Sequence, residues 1–531
     1  MPIRINNIIL KIDEDKNLLI KKVAKKLKIN EEEIKNLKIL KESLDARKKS
    51  DIKFVYCLEI EYKDEKKLID KLKDKDVKLE APSYDGEVVF GNKELKSRPV
   101  VVGFGPSGIF TALMLAQKGY KPIVIERGED VDKRTETVNN FWETGKLNKD
   151  SNVQFGEGGA GTFSDGKLTT RIKDNRCDYV LRELVKAGAP EEITYLAKPH
   201  VGTDLLKNVV KNIREEIKAL GGEVLFSHKL ENIITEDGRV KSIIVNGEKM
   251  NCENLVLAIG HSSRDTYEML HSIDMSMEPK AFAVGVRIEH PQETINKSQY
   301  GENYGNPNLR AAEYGLTYQS EKLNRAVYSF CMCPGGVVVS ASSEENRLVS
   351  NGMSYHARDL ENANSALVVT VRPDDFEGDS PLKGMEFQRY YEELAYKLGG
   401  GNYKAPIQLV GDFMEDKIST ELGTVKPSYT GEYVFEDLRK CLPSYVIEAL
   451  KEAIPNFDRK IKGYANKDSV LTGIETRTSA PVRLHRDENL QSTSIKGVYP
   501  AGEGAGFAGG IISAAVDGIK IAEKMMQEYK A

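Results

Sequence analysis

The sequence has few of the features that mark secreted, membrane-spanning or disulfide-linked proteins. Its six cysteines are scattered over 531 residues, which argues against a disulfide framework and makes a reducing cytoplasm the expected location. No run of about 18 apolar residues occurs, so a membrane span is not expected. The opening segment MPIRINNIILKIDEDKN lacks an apolar core before a cleavage site, which argues against secretion. The net charge of −4 argues against a general polyanion binder, and a nucleic-acid partner is not expected.

The first 81 residues have the pattern of a separate α+β unit. Its strand-like and helical segments, in chain order, are residues 3–10, 18–27, 37–40, 54–62, 65–72 and 77–79. This β-α-β-β-α-β order predicts a ferredoxin-like domain over residues 1–81, with a linker over residues 82–97. Residues 1–80 hold 22 lysines and arginines against 17 acidic residues, a net charge of +5 that leaves −9 for the rest of the chain.

From residue 98 onward the pattern is typical of an α/β protein with a β-rich insertion. Strands, glycine turns and helices alternate over residues 98–280 and return over 471–531. Strands dominate from 281 to 470, interrupted by one helix near residues 387–398. We therefore predict a discontinuous Rossmann-like domain and an inserted, mainly antiparallel β substrate domain. A further helix over residues 205–220 is expected, with Thr203 or Asp204 as its cap.

A glycine turn near the start of this region predicts a dinucleotide site. Gly103, Gly105 and Gly108 form a G-x-G-x-x-G after a short apolar strand and before a helix over residues 109–118. Free N–H groups at the start of such a helix bind a pyrophosphate. Glu126 ends the next strand, 18 residues after Gly108, where a carboxylate accepts hydrogen bonds from the adenosine ribose. The other turn residues assigned to the cofactor are Pro106, Ser107 and Arg127.

A second glycine turn near the end of the chain favours FAD over NAD. The segment GVYPAGEGAGFAGGIISAAVDG contains a short strand, the turn and a helix of small and apolar residues. FAD extends well beyond the first pyrophosphate site, and a helix N-terminus near the flavin stabilises negative charge on its reduced ring. FAD is therefore the predicted cofactor, and NAD(P)H is considered only as a transient electron donor. The residues assigned to this second turn are Gly502, Glu503, Gly509, Gly510 and Ile511.

Three motifs in chain order, GFGPSG…ERG, LVLAIG and VYPAGEGAG, resemble the large two-dinucleotide-binding-domain group of flavoproteins. With SNVQFGEGGAGTFSDGKLTT, YSFCMCPGG and TGIETRTSAPVRL, the chain from about residue 98 most resembles the bacterial uncharacterised FAD-dependent dehydrogenases, also called NAD(P)/FAD-dependent oxidoreductases. The resemblance implies that Glu503, an Asp in the wider group, contacts the ribityl or pyrophosphate part of FAD. It also implies that the loop after Glu126 returns along the flavin. The further cofactor residues expected on this basis are Gly159, Gly161, Thr162, Ser164 and Gly260.

The same resemblance places Glu475 and Arg477 at the domain seam beside the flavin. Arginines there clamp a carboxylate or phosphate, or else form an inter-domain salt-bridge network. Lys167 and His356 are further acid or base candidates. Other polar residues considered near the site are His200, His261, Arg358 and Arg483.

Cys331 and Cys333 form a C-x-C between two strands. Such a pair can exchange electrons with a flavin or bind a metal, but alternate residues of one strand also face the same way and pack together. No second cysteine pair completes a metal site, so no metal is predicted.

The leading functional hypothesis is an FAD-dependent oxidoreductase that moves a hydride between flavin N5 and a small substrate, anionic or neutral. One alternative is a flavin monooxygenase of the aromatic-hydroxylase type, which the inserted β domain suits equally well. Another is a flavoprotein linked to tRNA modification, because ferredoxin-like sheets can bind single-stranded RNA and the N-terminal unit is positively charged. The substrate and the oligomeric state are not fixed by these patterns.

Overall fold

The computed structural model describes residues 2–80 and 84–531. Met1, Ala81 and the first two residues of the predicted linker lie outside the described residues. The N-terminal unit consists of β1 (Ile3–Lys11), α1 (Leu18–Leu27), β2 (Lys35–Asp45), β3 (Lys53–Glu61), α2 (Glu65–Leu72) and β4 (Val77–Leu79). Its four strands form an antiparallel sheet in the order β2-β3-β1-β4. The two helices cover one face of this sheet with Leu19, Val23, Leu27 and Leu68.

The next region holds a parallel sheet and its covering helices. Its elements are β5 (Val100–Val102), α3 (Pro106–Gln117), β6 (Ile123–Glu126), α4 (Val131–Thr144), α5 (Arg176–Lys186), α6 (Thr203–Ala219), β7 (Glu223–Phe226), β8 (Leu230–Glu236), β9 (Arg239–Val245), β10 (Glu248–Asn251), β11 (Leu255–Leu257), α7 (Arg264–Ser272) and β12 (Met277–Pro279). Strands β8, β9 and β10 form a separate antiparallel sheet.

The β-rich region that follows also contains helices. Its elements are β13 (Phe282–Pro291), α8 (Gln292–Tyr300), β14 (Thr317–Ser320), β15 (Arg325–Cys333), β16 (Gly336–Ser340), β17 (Ser350–Ser354), β18 (Asn362–Val371), α9 (Lys383–Leu398), β19 (Ala405–Leu409), α10 (Val410–Met414), β20 (Tyr433–Phe435), α11 (Ser444–Lys460) and β21 (Val470–Glu475). Seven of these strands form one sheet in the order β14-β15-β18-β13-β21-β19-β20, with only β19 and β20 parallel. Strand β21, which the sequence assigned to the Rossmann-like part from residue 471 on, belongs to this sheet.

The chain returns to the parallel sheet through β22 (Val482–Leu484), β23 (Val498–Pro500) and α12 (Ile511–Glu528). The parallel sheet has the order β23-β11-β5-β6-β7, so the first, middle and last segments of the α/β region are neighbours. Because parallel strands end at one edge of a sheet, the turns after β5, β11 and β23 meet there. Helix α12 packs directly on α3, where a side chain at Gly518 would lie 2.2 Å from the Ser107 carbonyl oxygen.

One local prediction was wrong. Thr203 and Asp204 do not cap α6, because the helix begins at Thr203 and its N-cap is Gly202, with a φ of 88° that favours glycine. The Thr203 hydroxyl donates to the Thr162 carbonyl at 2.6 Å, and Asp204 accepts from the His356 backbone N–H at 2.8 Å. Both side chains therefore tie α6 to neighbouring loops.

Across the described residues, every helix is too short or too polar to cross a lipid bilayer.

Candidate cofactor and active site

A cavity of about 370 Å³ lies between the carboxyl edge of the parallel sheet and the seven-stranded sheet. Most residues that the sequence assigned to a cofactor lie on its wall. They are Gly103, Gly105, Pro106, Ser107, Glu126, Arg127, Gly159, Gly161, Ser164, Gly260, Glu503, Gly509, Gly510 and Ile511. Three of the four residues assigned to catalysis are also on the wall: Lys167, Glu475 and Arg477.

Three residues assigned to the cofactor do not line the cavity but stabilise the turns that do: Gly108, Gly502 and Thr162. A β-carbon at Gly108 would lie 1.9 Å from the Gly103 carbonyl oxygen, so only glycine allows α3 to approach β5. Gly502 has a φ of 64° and donates its N–H to Asp517 at 2.7 Å. The Thr162 hydroxyl donates to the Glu157 carbonyl at 3.0 Å.

His356 lies away from the cavity wall. Its ring stacks on His200 with a centroid distance of 5.2 Å, and its Nδ1 lies 3.0 Å from the Val201 carbonyl oxygen. Burial lowers the pKa of His200 to about 4. The pair therefore packs between α6 and the β-rich region and does not reach the cavity.

Two helix N-termini open into the cavity without a side-chain cap. The N-cap residues are Gly105 for α3 and Gly510 for α12, and glycine has no side chain that could cap the helix. The buried hydroxyl of Ser107, in the first turn of α3, has no hydrogen-bond partner within residues 2–80 and 84–531. A β-carbon at Gly509 or Gly510 would meet nothing within 4 Å. Two helix N-termini that begin at one cavity, with an unpaired hydroxyl at the first, fit the pyrophosphate and the ring of FAD.

Glu126 is fixed in place by three backbone donors. Its carboxylate accepts from the N–H groups of Phe104 at 2.8 Å, Gly128 at 2.9 Å and Gly156 at 3.0 Å. Its Oε1 already accepts two of these bonds, whereas Oε2 accepts one and has room for about one more, such as a bond from a ligand. Arg127 beside it is held by Asp150 and Asp265 at 2.7 and 2.9 Å.

Glu503 lies half-buried on the wall, and its carboxylate accepts no hydrogen bond from any described residue. Burial raises the pKa of its carboxyl group to about 7, and the charge of Lys280 opposes this shift only in part. A half-buried carboxylate of this kind gains from hydroxyl donors on a ligand, because partial removal from water weakens the solvation of its charge. The ribityl hydroxyls of FAD are donors of this kind.

Arg134 supports the glycine-rich loop, and sequence reasoning missed it. Its fully buried guanidinium donates to the carbonyl oxygens of Asn152 at 2.9 Å, Val153 at 3.0 Å, Glu157 at 2.6 Å and Gly159 at 3.0 Å. A signal for it was present in the sequence. Arg134 occupies the buried stripe of α4, among Val131, Val138 and Phe141, where an unpaired charge is not expected.

The part of the wall that comes from the seven-stranded sheet is charged. Glu475, at the end of β21, contacts Arg287 of β13 through both carboxylate oxygens, at 3.1 and 2.8 Å. Burial raises the pKa of Glu475 to about 7, against the opposing effect of Arg287. Cys331 of β15 also lies on the wall. Arg287 was not among the sequence candidates, because its partners come from distant strands.

Arg477 belongs to a buried salt-bridge network that joins α7, beside the parallel sheet, to α9 of the β-rich region. It donates to Glu392 of α9 at 3.0 Å and to the Ser343 hydroxyl at 2.5 Å. Arg264 of α7 donates to the same glutamate at 2.7 Å. Two roles were considered for Arg477, an anion clamp and an inter-domain salt-bridge network. The network is present, and Arg477 also lies on the cavity wall.

Three other candidates differ in their access to the cavity. The Lys167 ammonium, on the wall, lies 2.9 Å from Asp165 and donates to the Met332 carbonyl. His261 is also on the wall, and burial lowers its pKa to about 3. Arg483 lies off the wall and contacts Glu278 at 3.6 Å.

Comparison with known proteins identifies relatives over the whole chain. The chain is 68% identical over 529 residues to an uncharacterized protein of Clostridium beijerinckii, a match that covers 100% of this chain and 99% of the relative. Residues 281–478 match the family described as FAD-dependent protein, C-terminal domain-like. Residues 2–61 match a domain of unknown function, DUF8436.

Solved structures give more distant similarities. Glycine oxidase from Bacillus cereus is 12% identical with a TM-score of 0.34, covering 82% of this chain and 99% of that one. Glycerol-3-phosphate dehydrogenase from Bacillus halodurans, complexed with FAD, is 12% identical with a TM-score of 0.33, covering 81% and 65%. Similarity at this level identifies neither a reaction nor a substrate.

Proposed function

Because the chain belongs to the family of bacterial FAD-dependent proteins, we propose that it is an oxidoreductase that moves a hydride between FAD and a small substrate, anionic or neutral. The 68% identity to its Clostridium relative and the matched FAD-dependent region over residues 281–478 support the family. FAD supplies the hydride chemistry at its ring, and the protein supplies position, charge and exclusion of water.

One observation carries the proposal. The helices after the first and the last glycine turn both begin at one cavity, where the buried Ser107 hydroxyl has no hydrogen-bond partner in the described chain. The half-buried Glu503 carboxylate on the same wall also accepts no hydrogen bond from the described residues. In a folded protein, buried polar groups without partners are rare and call for a ligand or water. A single molecule with a phosphate end and a hydroxylated chain satisfies both.

Different residues would bind different parts of the cofactor. Glu126 and Arg127 would face the adenosine, the start of α3 would bind the pyrophosphate, and Glu503 would accept from the ribityl chain. The start of α12 would lie near the ring. Gly159 and Gly161 would allow the loop backbone to approach the ring closely.

Charged residues at and just after the end of β21 would serve the substrate. Glu475 is placed to hold or release a proton near neutral pH, because burial raises its pKa to about 7. A general acid or base works best with a pKa near the working pH. Arg477 would orient an anionic substrate if its contact with Glu392 can be shared.

We also propose the domain arrangement that these roles require. A discontinuous Rossmann-like FAD domain would be interrupted by a substrate domain built on the seven-stranded sheet, and the N-terminal ferredoxin-like unit would stand outside the cofactor site. The strand orders β23-β11-β5-β6-β7 and β2-β3-β1-β4 support this division.

Anaerobic reduction of the purified protein tests the function. The yellow holoprotein is mixed with NADH, NADPH and a panel of small hydroxy, amino and carboxylate donors, and loss of flavin absorbance is followed. We expect one donor to bleach the flavin rapidly and Glu475→Gln to slow that step about 100-fold, the lower end of a general acid or base contribution. Glu488→Gln, an exposed residue away from the wall, serves as control. Bleaching by no donor other than dithionite would contradict an oxidoreductase role.

A further inference from the structure

Two cysteines lie beside the part of the cavity wall that comes from the seven-stranded sheet. Cys331 is on the wall itself, whereas Cys333 is completely buried behind it. The Cys333 thiol donates to the Cys331 carbonyl oxygen at 3.2 Å, and each cysteine side chain is close enough to shift the pKa of the other. The two cysteine side chains are therefore neighbours in the folded chain.

A β-bulge produces this arrangement. Between Phe330 and Cys333, β15 advances three residues while its partner β18 advances two, from Ala366 to Asn364. Cys331 takes the extra position with a φ of 44°, in the left-handed region that residues with a β-carbon rarely adopt. Bulges occur next to active sites, where they redirect a side chain. Here the bulge interrupts the regular alternation of side chains along β15. As a result the Cys331 thiol lies on the cavity wall and the Cys333 thiol is buried behind it.

A buried guanidinium lies against the pair. Arg287 donates one N–H to the Cys331 carbonyl at 2.5 Å and lies 3.6 Å from the Cys333 sulfur. The Cys333 thiol and the charges of Arg287 and Lys167 hold the pKa of Cys331 below that of an ordinary thiol, against the effects of burial and of Asp165. The carboxyl groups of Glu475 and Glu503 also face this thiol. A thiolate beside a cation is the reactive form of cysteine.

We propose that Cys331 and Cys333 are a redox-active dithiol that exchanges two electrons with the FAD of this cavity. This inference rests on the proposed function for the presence of FAD. The Cys331 thiolate and the Cys333 thiol together give up two electrons and the Cys333 proton and form one S–S bond. Oxidised flavin accepts the electron pair and that proton, so atoms and charge balance without a further reactant. In the opposite direction, the disulfide is reduced by the reduced cofactor.

Electron counting on the holoprotein tests the dithiol. The oxidised protein is titrated anaerobically with dithionite, and the bound flavin and total electron uptake are measured together. We expect the wild type to take two electrons per chain beyond those taken by its flavin, and Cys331→Ser and Cys333→Ser to lose this extra uptake. Cys177→Ser, at a partly buried cysteine of α5 that is not on the wall, is the matched control and should behave as the wild type.

Peptide mass spectrometry gives a readout that does not depend on activity. Samples are quenched in acid and alkylated, and the peptide with both cysteines is weighed. We expect an internal disulfide in the oxidised holoprotein and in flavin-free protein treated with diamide, and two alkyl groups after reduction. Two alkylated cysteines in every oxidised sample, with no extra electron uptake, would overturn the dithiol. A protein that forms the disulfide with diamide but binds no FAD would instead overturn the proposed function.

Discussion

At the scale of single residues, the cavity wall contains two kinds of polar group. Glu126 and Arg127 already have several partners inside the chain, so they are held rigidly before any ligand binds. Ser107 and Glu503 lack such partners among the described residues. The first kind positions a ligand, and the second kind gains its hydrogen bonds only when the ligand is present.

Substitution of Glu503 tests this distinction. We expect Glu503→Gln to weaken FAD binding roughly tenfold or more, because a hydrogen bond to a charged group contributes about 1.5–3 kcal/mol and 1.4 kcal/mol corresponds to a factor of ten. Affinity is measured by titrating flavin-free protein with FAD and following flavin fluorescence. Glu488→Gln, on the exposed segment after β22, should bind as the wild type. Unchanged affinity in Glu503→Gln would remove Glu503 from the site.

The same residue predicts a pH dependence of stability. The pKa of Glu503 is about 7 in the folded protein and near 4.3 in an unfolded chain, so the folded state binds the extra proton between these values. Its contribution to the free energy of unfolding is therefore present at low pH and is lost as pH rises from about 4 to about 7. In urea unfolding of flavin-free protein, Glu503→Gln should be increasingly favoured over the wild type across this range. A pH-independent difference would contradict the assignment.

Glu475 predicts a pH dependence of the bound flavin. Because burial raises the pKa of its carboxyl group to about 7, its charge changes near neutral pH beside the proposed ring site. We expect the reduction potential of bound FAD to show a change in pH slope near that value, and Glu475→Gln to abolish the change. The measurement is a spectroelectrochemical titration from pH 5 to 9. A slope change that persists in the variant would assign it to another group.

At the scale of helices, strands and loops, two helices with regular apolar spacing were predicted with the correct bounds. Two helices whose sequence is interrupted by proline or glycine were predicted with a wrong start or were missed. Helices α1 and α2 have the bounds that their apolar spacing predicts. Helix α3 begins at Pro106, three residues before its predicted start, because its first turn consists of residues that read as a loop. Helix α11 was missed altogether. It follows Pro443 and contains Pro455, and proline normally indicates a helix boundary.

The loop over residues 152–159 depends on Arg134, and this gives a prediction at the same scale. Lysine in place of Arg134 keeps the charge but cannot reach four carbonyl groups, and each unsatisfied buried acceptor costs about 1–3 kcal/mol. We expect Arg134→Lys to lower the free energy of unfolding by about 3 kcal/mol or more and to reduce flavin content. Faster hydrogen exchange confined to residues 152–161 would show the cause. Arg171→Lys, on an exposed segment, is the control, and equal exchange in both variants would contradict the role.

At the scale of the whole molecule, the convergence of two distant glycine turns could be predicted from sequence. Both turns follow short apolar strands, and strands of this kind lie side by side in parallel sheets. The contribution of β21 and of the Arg287–Glu475 contact could not be predicted. These pairings join positions 188 residues apart, and no local pattern specifies which strands of a large antiparallel sheet become neighbours.

The N-terminal unit gives a prediction about domain independence. Its edge strand β2 exchanges backbone hydrogen bonds with residues 195–197 through Glu42, at 2.7 and 2.8 Å. None of the described cavity-lining residues belongs to residues 2–80. We expect a chain lacking residues 1–80 to unfold at a lower temperature but to retain its full flavin content. Circular dichroism confirms folding, and loss of flavin from a folded truncated chain would place this unit in the site.

The central claim is that one cavity, shared by two helix N-termini, holds one FAD. Its most direct test is the identity and amount of the molecule released when the purified protein is denatured, measured by chromatography and mass spectrometry against protein concentration. The account predicts FAD at about one molecule per chain after the flavin-free protein is incubated with FAD and desalted. Release of no flavin, or of a different nucleotide in its place, would contradict it.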